Sequence, residues 1–307
     1  MNAYRRPAHH LTVTDDHAGR RLDKFLRSQL KGVPAGLIFR LLRKGAVRVD
    51  DRRVKPDHRL EAGEIIFVPA MDLPPPPTVD VPAPVRRAVA GAIVHESPDL
   101  LVLDKPADMA VHVGTGVRAG VIEALRALRP GEELELAHRI DRETSGLLMV
   151  AKKPPMLRHL QSALRDGAVE RGYLALVRGS VPEKMRIDAP VPTEHGPRDA
   201  LTLVEPVRRF GRRATLVRAQ LITGRKHQIR VHTAHAGHPI AGDTRHGDPR
   251  FTSFIRGHGG HRMFLHAHTL TIPLPDGGTL DLTAPTPPAW DRTLARLTTP
   301  GGRRRRR

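Results

Sequence analysis

The sequence contains no cysteine. That excludes disulfides, thiol nucleophiles and cysteinyl zinc or iron–sulfur sites. Aromatic side chains are scarce, with one Trp, two Tyr and seven Phe in 307 residues, so a core must come largely from Leu, Val and Ala. Long apolar runs are missing too. A stretch such as Ala88–Val94 falls far short of the ~20 residues needed to span a bilayer. The opening MNAYRRPAHH has no apolar signal core. The expectation is a cytoplasmic protein with no membrane contact.

Acidic residues are also in deficit. Lys and Arg number 51 against 32 Asp and Glu, a formal charge of +19. Of the basic residues 42 are Arg and 9 are Lys. Arginine suits bidentate contacts to phosphate and base edges. A polyanion is the expected partner, nucleic acid foremost. A chain of this length exceeds what one core usually serves, so two domains are expected.

A basic unit is expected over residues 11–70. Leu22, Phe25, Leu26 and Leu30 recur at helical spacing and Gly32 stops that helix. Pro34 opens a second helix with Leu37, Ile38, Leu41 and Leu42 on one face, ending at Gly45. Arg40, Arg43 and Lys44 lie off that face, and Arg48 follows between Val47 and Val49. From residue 20 to 60 there are 13 basic and 4 acidic side chains. Two short helices with one basic side, followed by small strands, suit nucleic-acid binding; a solvated helical surface is the plainer reading. Residues 71–87 are proline-rich and predict a semi-rigid spacer. From 88 to 300, strand-like and helical runs alternate irregularly. Leu100–Asp104, Gly146–Ala151, Tyr173–Arg178, Thr215–Leu221 and Met263–Ile272 read as strands. Val121–Leu128 and Met156–Leu164 read as amphipathic helices. Successive strands without intervening helices predict an α+β fold with a mixed, largely antiparallel sheet. Residues 301–307, GGRRRRR, read as a disordered polybasic tail.

The densest run of special residues is HRIDRETSG, residues 138–146, between two strand-like segments. Asp141 has Arg139 and Arg142 beside it, cations that favour its carboxylate form. An ionised, oriented carboxylate is what a covalent nucleophile requires, yet a surface Asp in ordinary ion pairs fits the same spacing. A second run, TGRKHQIRVH at 223–232, predicts a helix opening after a strand, with His227 and Arg230 on one face. Its basic residues, Arg225 among them, suit an anion, a buried carboxylate or plain solvent. The histidines of 232–238 and 258–268 do not converge at metal-ligand spacing, so no metal is expected. Gly114–Gly120 lacks the Lys-Ser/Thr ending of a phosphate-binding loop.

Taken together, these runs resemble a known family. HRIDRETSGLL resembles the HRLDxxTSGLL signature of the RluA family of pseudouridine synthases. The runs at Asp104–Pro106, Tyr173–Gly179, Thr223–His232, Gly237–Asp243 and Leu265–Ala267 match its other blocks in order. Residues 11–70 resemble the α-L RNA-binding domain of the ribosomal protein S-four type that many members carry. The resemblance spans about residues 11 to 290 and is greatest to members acting on large-subunit rRNA.

The resemblance implies roles by position. Asp141 matches the aspartate that attacks the target nucleoside as the glycosidic bond breaks. Tyr173 matches the tyrosine that stacks on the uracil and assists proton removal from C5, and Arg230 the arginine that pairs with the aspartate. Arg139 matches the residue that enters the RNA stack in place of the flipped uridine. The remaining RNA contacts are expected from Arg40, Arg43, Lys44, Arg48, Arg225 and His227. The chain departs from the pattern at Asp104, usually Asn, and Ile140, usually Leu. It departs again at Asp108, often Gly, Arg171, usually Lys, and His246, often Tyr. The segment around Thr193–Ala200 also looks short.

The implied function is isomerisation of specific uridines to pseudouridine in large-subunit (23S) rRNA, without cofactor or metal, by a chain taken as a monomer by default. The same chemistry on tRNA or on other rRNA sites, and a non-catalytic ribosome assembly factor, remain as alternatives.

Overall fold

The computed structural model describes residues 4–30, 33–73, 81–113, 119–193 and 196–298. Gly32, the Gly114–Arg118 part of the glycine-rich run, the Pro74–Pro77 core of the spacer and the arginine tail lie outside the described residues. The chain divides into two compact units, one comprising residues 1–80 with 152–155, the other 81–151 with 156–307.

The first unit contains β1 (Tyr4–Arg6), β2 (His9–Thr12), α1 (Leu22–Gln29), α2 (Ala35–Lys44), β3 (Arg48–Val49), β4 (Ile65–Val68) and β5 (Met71–Leu73). The strands order as β2-β4-β3, with β1 and β5 paired separately. Pro34 supplies the extended entry to α2 and Gly45, at φ +68°, closes it in the left-handed conformation. Leu22, Phe25, Leu26, Ile38, Leu42 and Ile66 share one core. Arg40, Arg43, Lys44 and Arg48 are exposed.

The second unit runs through α3 (Ala83–Ala90), β6 (Ile93–Glu96), β7 (Leu100–Lys105), α4 (Val121–Leu128), β8 (Glu135–Leu136) and β9 (Ser145–Ala151). It continues with α5 (Pro154–Arg165), β10 (Glu170–Arg178), β11 (Met185–Asp188), β12 (Leu201–Phe210) and β13 (Ala214–Leu221). The last elements are α6 (Gln228–His235), α7 (Pro249–Gly257), β14 (Leu265–Pro273), β15 (Thr279–Thr283) and α8 (Pro288–Thr298). The sheet has ten strands in the order β11-β12-β13-β10-β14-β9-β7-β6, with β15 on β14 and β8 on β9. All its strand pairs are antiparallel except β14 with β9. It is the mixed, largely antiparallel sheet that the strand spacing predicts.

Alternation along each strand feeds two apolar layers. Tyr173, Ala175 and Val177 of β10 pack with Ile229 of α6 on one face. Leu174 and Leu176 pack with Phe251, Trp290 and Leu294 from α7 and α8 on the other. Every residue of β9 is buried, as a strand covered on both faces must be.

Two expectations shift. The spacer of 71–87 is not extended throughout, because Met71–Leu73 form β5 and α3 starts at Ala83. Pro82 precedes α3 and Pro84 lies in its first turn, where the fixed φ of proline is compatible with a helix. The helix expected to open at Thr223 starts at Gln228, because His227 sits at φ +58°. A left-handed residue cannot continue a right-handed helix.

The single parallel pair positions the site. Ala267 of β14 lies opposite Tyr173 on one side and Gly146 on the other. Tyr173 and Gly146 are therefore two strand spacings apart, about 10 Å. Gly146 stands at φ +107°, and a Cβ there would overlap the Ala267 carbonyl. Gly146→Ala is expected to destabilise the protein by at least ~2 kcal/mol, read from its urea unfolding midpoint. An unchanged midpoint would show that β9 and β14 separate freely at this point.

Candidate active site

Between β8 and β9 the chain makes a loop in which the Thr144 N–H donates to the Asp141 carbonyl at 3.1 Å. The loop is fixed from beneath by Lys105, which is fully buried at the end of β7. Its Nζ donates to the carbonyls of Pro106 at 2.7 Å, Met109 at 2.8 Å and Arg142 at 3.1 Å. Burial, with Arg262 nearby, pushes its pKa down to about 7. Three carbonyl acceptors nonetheless match the three N–H bonds of the ammonium, so the hydrogen bonds answer the charge that burial disfavours. Arg142 turns outward and its Nε donates to the Asp108 carbonyl at 3.1 Å. Asp108 itself holds φ +61°, a glycine-like conformation that Asp tolerates.

Arg230, on α6, is 3% exposed and lies between two carboxylates. Its Nε and Nη2 donate to Asp243 Oδ2 and Oδ1, both at 2.8 Å, a bidentate pair. Its Nη1 donates to Asp141 Oδ2 at 2.9 Å, and Glu143 lies 3.8 Å from the same nitrogen. Burial opposes the guanidinium charge, but its hydrogen bonds to Asp243 and Asp141 outweigh it and raise the Arg230 pKa. Burial also opposes the Asp243 carboxylate. Arg230 and the backbone N–H groups of His246 and Arg245 overcome that and lower it to about 2. Asp243 therefore adds stability in full above the ordinary carboxylate pKa of about 4, and loses it as pH falls towards 2.

The first half of the second run, residues 223–227, is a loop tied by one amide. The Gln228 Oε1 accepts from the Thr223 hydroxyl at 2.7 Å and from the Arg225 N–H at 3.0 Å. Its Nε2 donates to the Leu201 carbonyl and the Thr202 hydroxyl. This loop carries His227 to the mouth of the site, with Nε2 3.8 Å from Asp141 Oδ1. His227 Nδ1 lies 3.1 Å from Nε2 of His246.

Tyr173 follows a register shift between Gly172 and Tyr173 that re-aims the strand. Burial pushes its phenol up to about 12. It stays protonated near neutrality and offers a ring face and a neutral hydroxyl. His138, first of the signature run, is half-buried, and loss of solvent at its ring pushes it down to about 3, with Arg171 adding to the effect. Its Nε2 accepts from the Met149 N–H at 3.1 Å, so the ring is a neutral brace between the loop and β9.

Asp141, Tyr173, Arg230, Arg139, Arg225 and His227 all line one cleft of about 1050 Å³. Arg139 and Arg225 are exposed along it. Arg40, Arg43, Lys44 and Arg48 belong to the first unit. The buried Thr144 Oγ1 and Arg171 Nε have no protein hydrogen-bond partner, and both residues line the cleft. Sequence reasoning assigned no part to Lys105, Asp243, Gln228 or Thr144. All four stood inside the motif runs named above, which was their only signal. Among the described residues no group of three or more His, Asp or Glu is placed to hold a metal ion, and no helix is long and apolar enough to cross a membrane.

Residues 99–235 match the model for RNA pseudouridylate synthase, and residues 20–66 match the S4 domain. The chain is 44% identical over 289 residues to ribosomal large subunit pseudouridine synthase C of Vibrio vulnificus (strain CMCP6), covering 90% of this chain and 91% of that one. It belongs to the RNA pseudouridylate synthase family. The same-named protein of Escherichia coli (strain K12) is 43% identical over 308 residues, with 94% and 96% covered. Two human structures share the fold of this synthase. RNA pseudouridylate synthase domain containing 4 aligns with a TM-score of 0.59 and 25% identity, covering 69% of this chain and 95% of the other. RNA pseudouridylate synthase domain containing 1 aligns with 0.53 and 28% identity, covering 64% and 83%.

The Asp141 loop depends on Lys105. Lys105→Met keeps the stem but leaves three carbonyls without their buried ammonium donor, and should cost about 2–4 kcal/mol in urea unfolding. A cost below about 0.5 kcal/mol would mean that the carbonyls find other partners.

Proposed function

We propose that this synthase converts uridines of large-subunit rRNA to pseudouridine, with Asp141 as the nucleophile. The observation that carries the reading is the 2.9 Å contact between Arg230 Nη1 and Asp141 Oδ2 in a cleft also lined by Tyr173. The names of the curated relatives support the choice of RNA.

The isomerisation breaks the bond from ribose C1′ to N1 and forms one from C1′ to C5. The C5 proton leaves and N1 gains one, so the overall reaction balances without oxidant or reductant. Asp141 attacks the sugar while Arg230 orients its carboxylate. Arg230 keeps its bidentate partner Asp243 when the attack neutralises Asp141, so no buried cation is left uncompensated. The Tyr173 ring supplies a stacking surface on which the detached uracil turns. With its phenol pushed up to about 12, it is a platform and not a ready base. The unpartnered Thr144 hydroxyl and Arg171 Nε–H offer hydrogen bonds to polar edges of the base or ribose.

A uridine inside folded RNA must leave its stack at a cost of a few kcal/mol. Arg139, exposed on the cleft, is suited to fill the gap. Exposed Arg40, Arg43, Lys44 and Arg48 supply sequence-blind attraction to phosphate.

The decisive measurement is tritium release from C5-labelled uridine in large-subunit rRNA transcripts. Wild type should release label, and Asp141→Asn should lose release by about 10³-fold or more while still binding RNA. Near-wild-type release by Asp141→Asn would remove the nucleophile assignment. Release from tRNA alone would move the substrate, and tight binding without release from any RNA would favour an assembly factor.

A further inference from the structure

We infer that His227, oriented by His246, is a positioning residue for Asp141: its Nε2–H holds Oδ1 while Arg230 holds Oδ2. This rests on the reading of Asp141 as nucleophile.

The geometry leaves one arrangement that works. Arg230 engages Oδ2 alone, at 2.9 Å. With a single oxygen held, a carboxylate can still turn about its last torsion, which is broad for Asp. His227 Nε2 stands 3.8 Å from Oδ1, too far for a hydrogen bond in this state. Such contacts tighten when a substrate closes an active site. A second donor there would fix the carboxylate plane.

Whether Nε2 carries a proton is decided at the other side of the ring. A neutral imidazole has one N–H. If it lies on Nδ1, the Nε2 lone pair faces the carboxylate and repels it. If it lies on Nε2, Nδ1 must accept, and the atom facing Nδ1 is His246 Nε2 at 3.1 Å. His246 Nε2–H donating to His227 Nδ1 therefore points the whole chain of donors at Asp141. That places a function on His246, and by the same geometry a phenolic O–H at this position would donate to the same Nδ1.

The surroundings keep both rings neutral. For His227 burial is the main cause of a lowered pKa, opposed by Asp141 and reinforced by Arg230, His246 and Arg245. For His246 burial again dominates, opposed by Asp243 and Asp141 and reinforced by Arg230 and Arg245. The tautomer, and not a charge, is what the pair controls.

The test combines kinetics with ¹⁵N spectroscopy of the histidines in the full chain near neutral pH. In wild type, His227 should report the Nε2–H tautomer. His246→Phe keeps a ring but removes the donor; kcat should fall by about ten- to a hundredfold with KM for rRNA little changed, and the His227 tautomers should mix. His246→Tyr should restore both kcat and the tautomer. If His246→Phe fails to fold, His246→Gln, whose amide can donate, should match wild type, with loss of activity counting against the idea. An Nδ1–H His227 in wild type, or wild-type kcat in His246→Phe, would overturn the inference. Inactive Asp141→Asn beside a fully active His246→Phe would sink it alone and spare the nucleophile; an active Asp141→Asn would remove the basis of both.

Discussion

A guanidinium with 3% exposure must have its charge answered by neighbours, because an unpaired buried cation costs several kcal/mol. At Arg230 two carboxylates answer it, and they are not equivalent. Asp243 is almost fully buried, takes two of the guanidinium hydrogen bonds and collects two backbone N–H groups as well. Asp141 takes one and stays partly open to solvent. Asp243 carries the larger share of the counter-charge, and Asp141 the smaller. Around this pair the loops are tied by single polar side chains. Lys105 reaches the 138–145 loop and Gln228 reaches the 223–227 loop.

Much of this was legible in the sequence where local pattern decides the outcome. Helices α1 and α2 follow from Leu, Phe and Ile spacing with Pro34 and Gly45 at the ends of α2. Strands β7, β9, β10 and β13 follow from apolar runs that a covered sheet requires. Strand β12 does not, because Pro206 and a run of charged residues interrupt its alternation. It holds through its ladder with β13, which absorbs the proline at a register shift. That partner is not visible from β12 itself.

The site divides in the same way. Asp141 and Arg230 are 89 residues apart, and their contact at 2.9 Å was expected only because the family resemblance implied it. From composition and spacing, the run at 223–232 was a helix with several uses. Its left-handed His227 breaks that pattern, and nothing in the spacing of the run signals it. Asp243 and Lys105 show the limit most clearly. Each acts through groups that sequence proximity does not reveal, and each looked like one charged residue among many.

The lone parallel pairing of β9 with β14 has a consequence for biosynthesis. Ser145 and Gly146 cannot meet His266 and Ala267 until some 120 residues after them have been synthesised. Strand β14 also separates β10 from β9, so the two sheet halves join only through it. Pairings of such sequence separation form slowly, after local structure is in place. The first unit, whose strand pairs all lie within residues 4–73, has no such wait. The order of emergence from the ribosome thus makes the RNA-binding module available before the catalytic cleft exists.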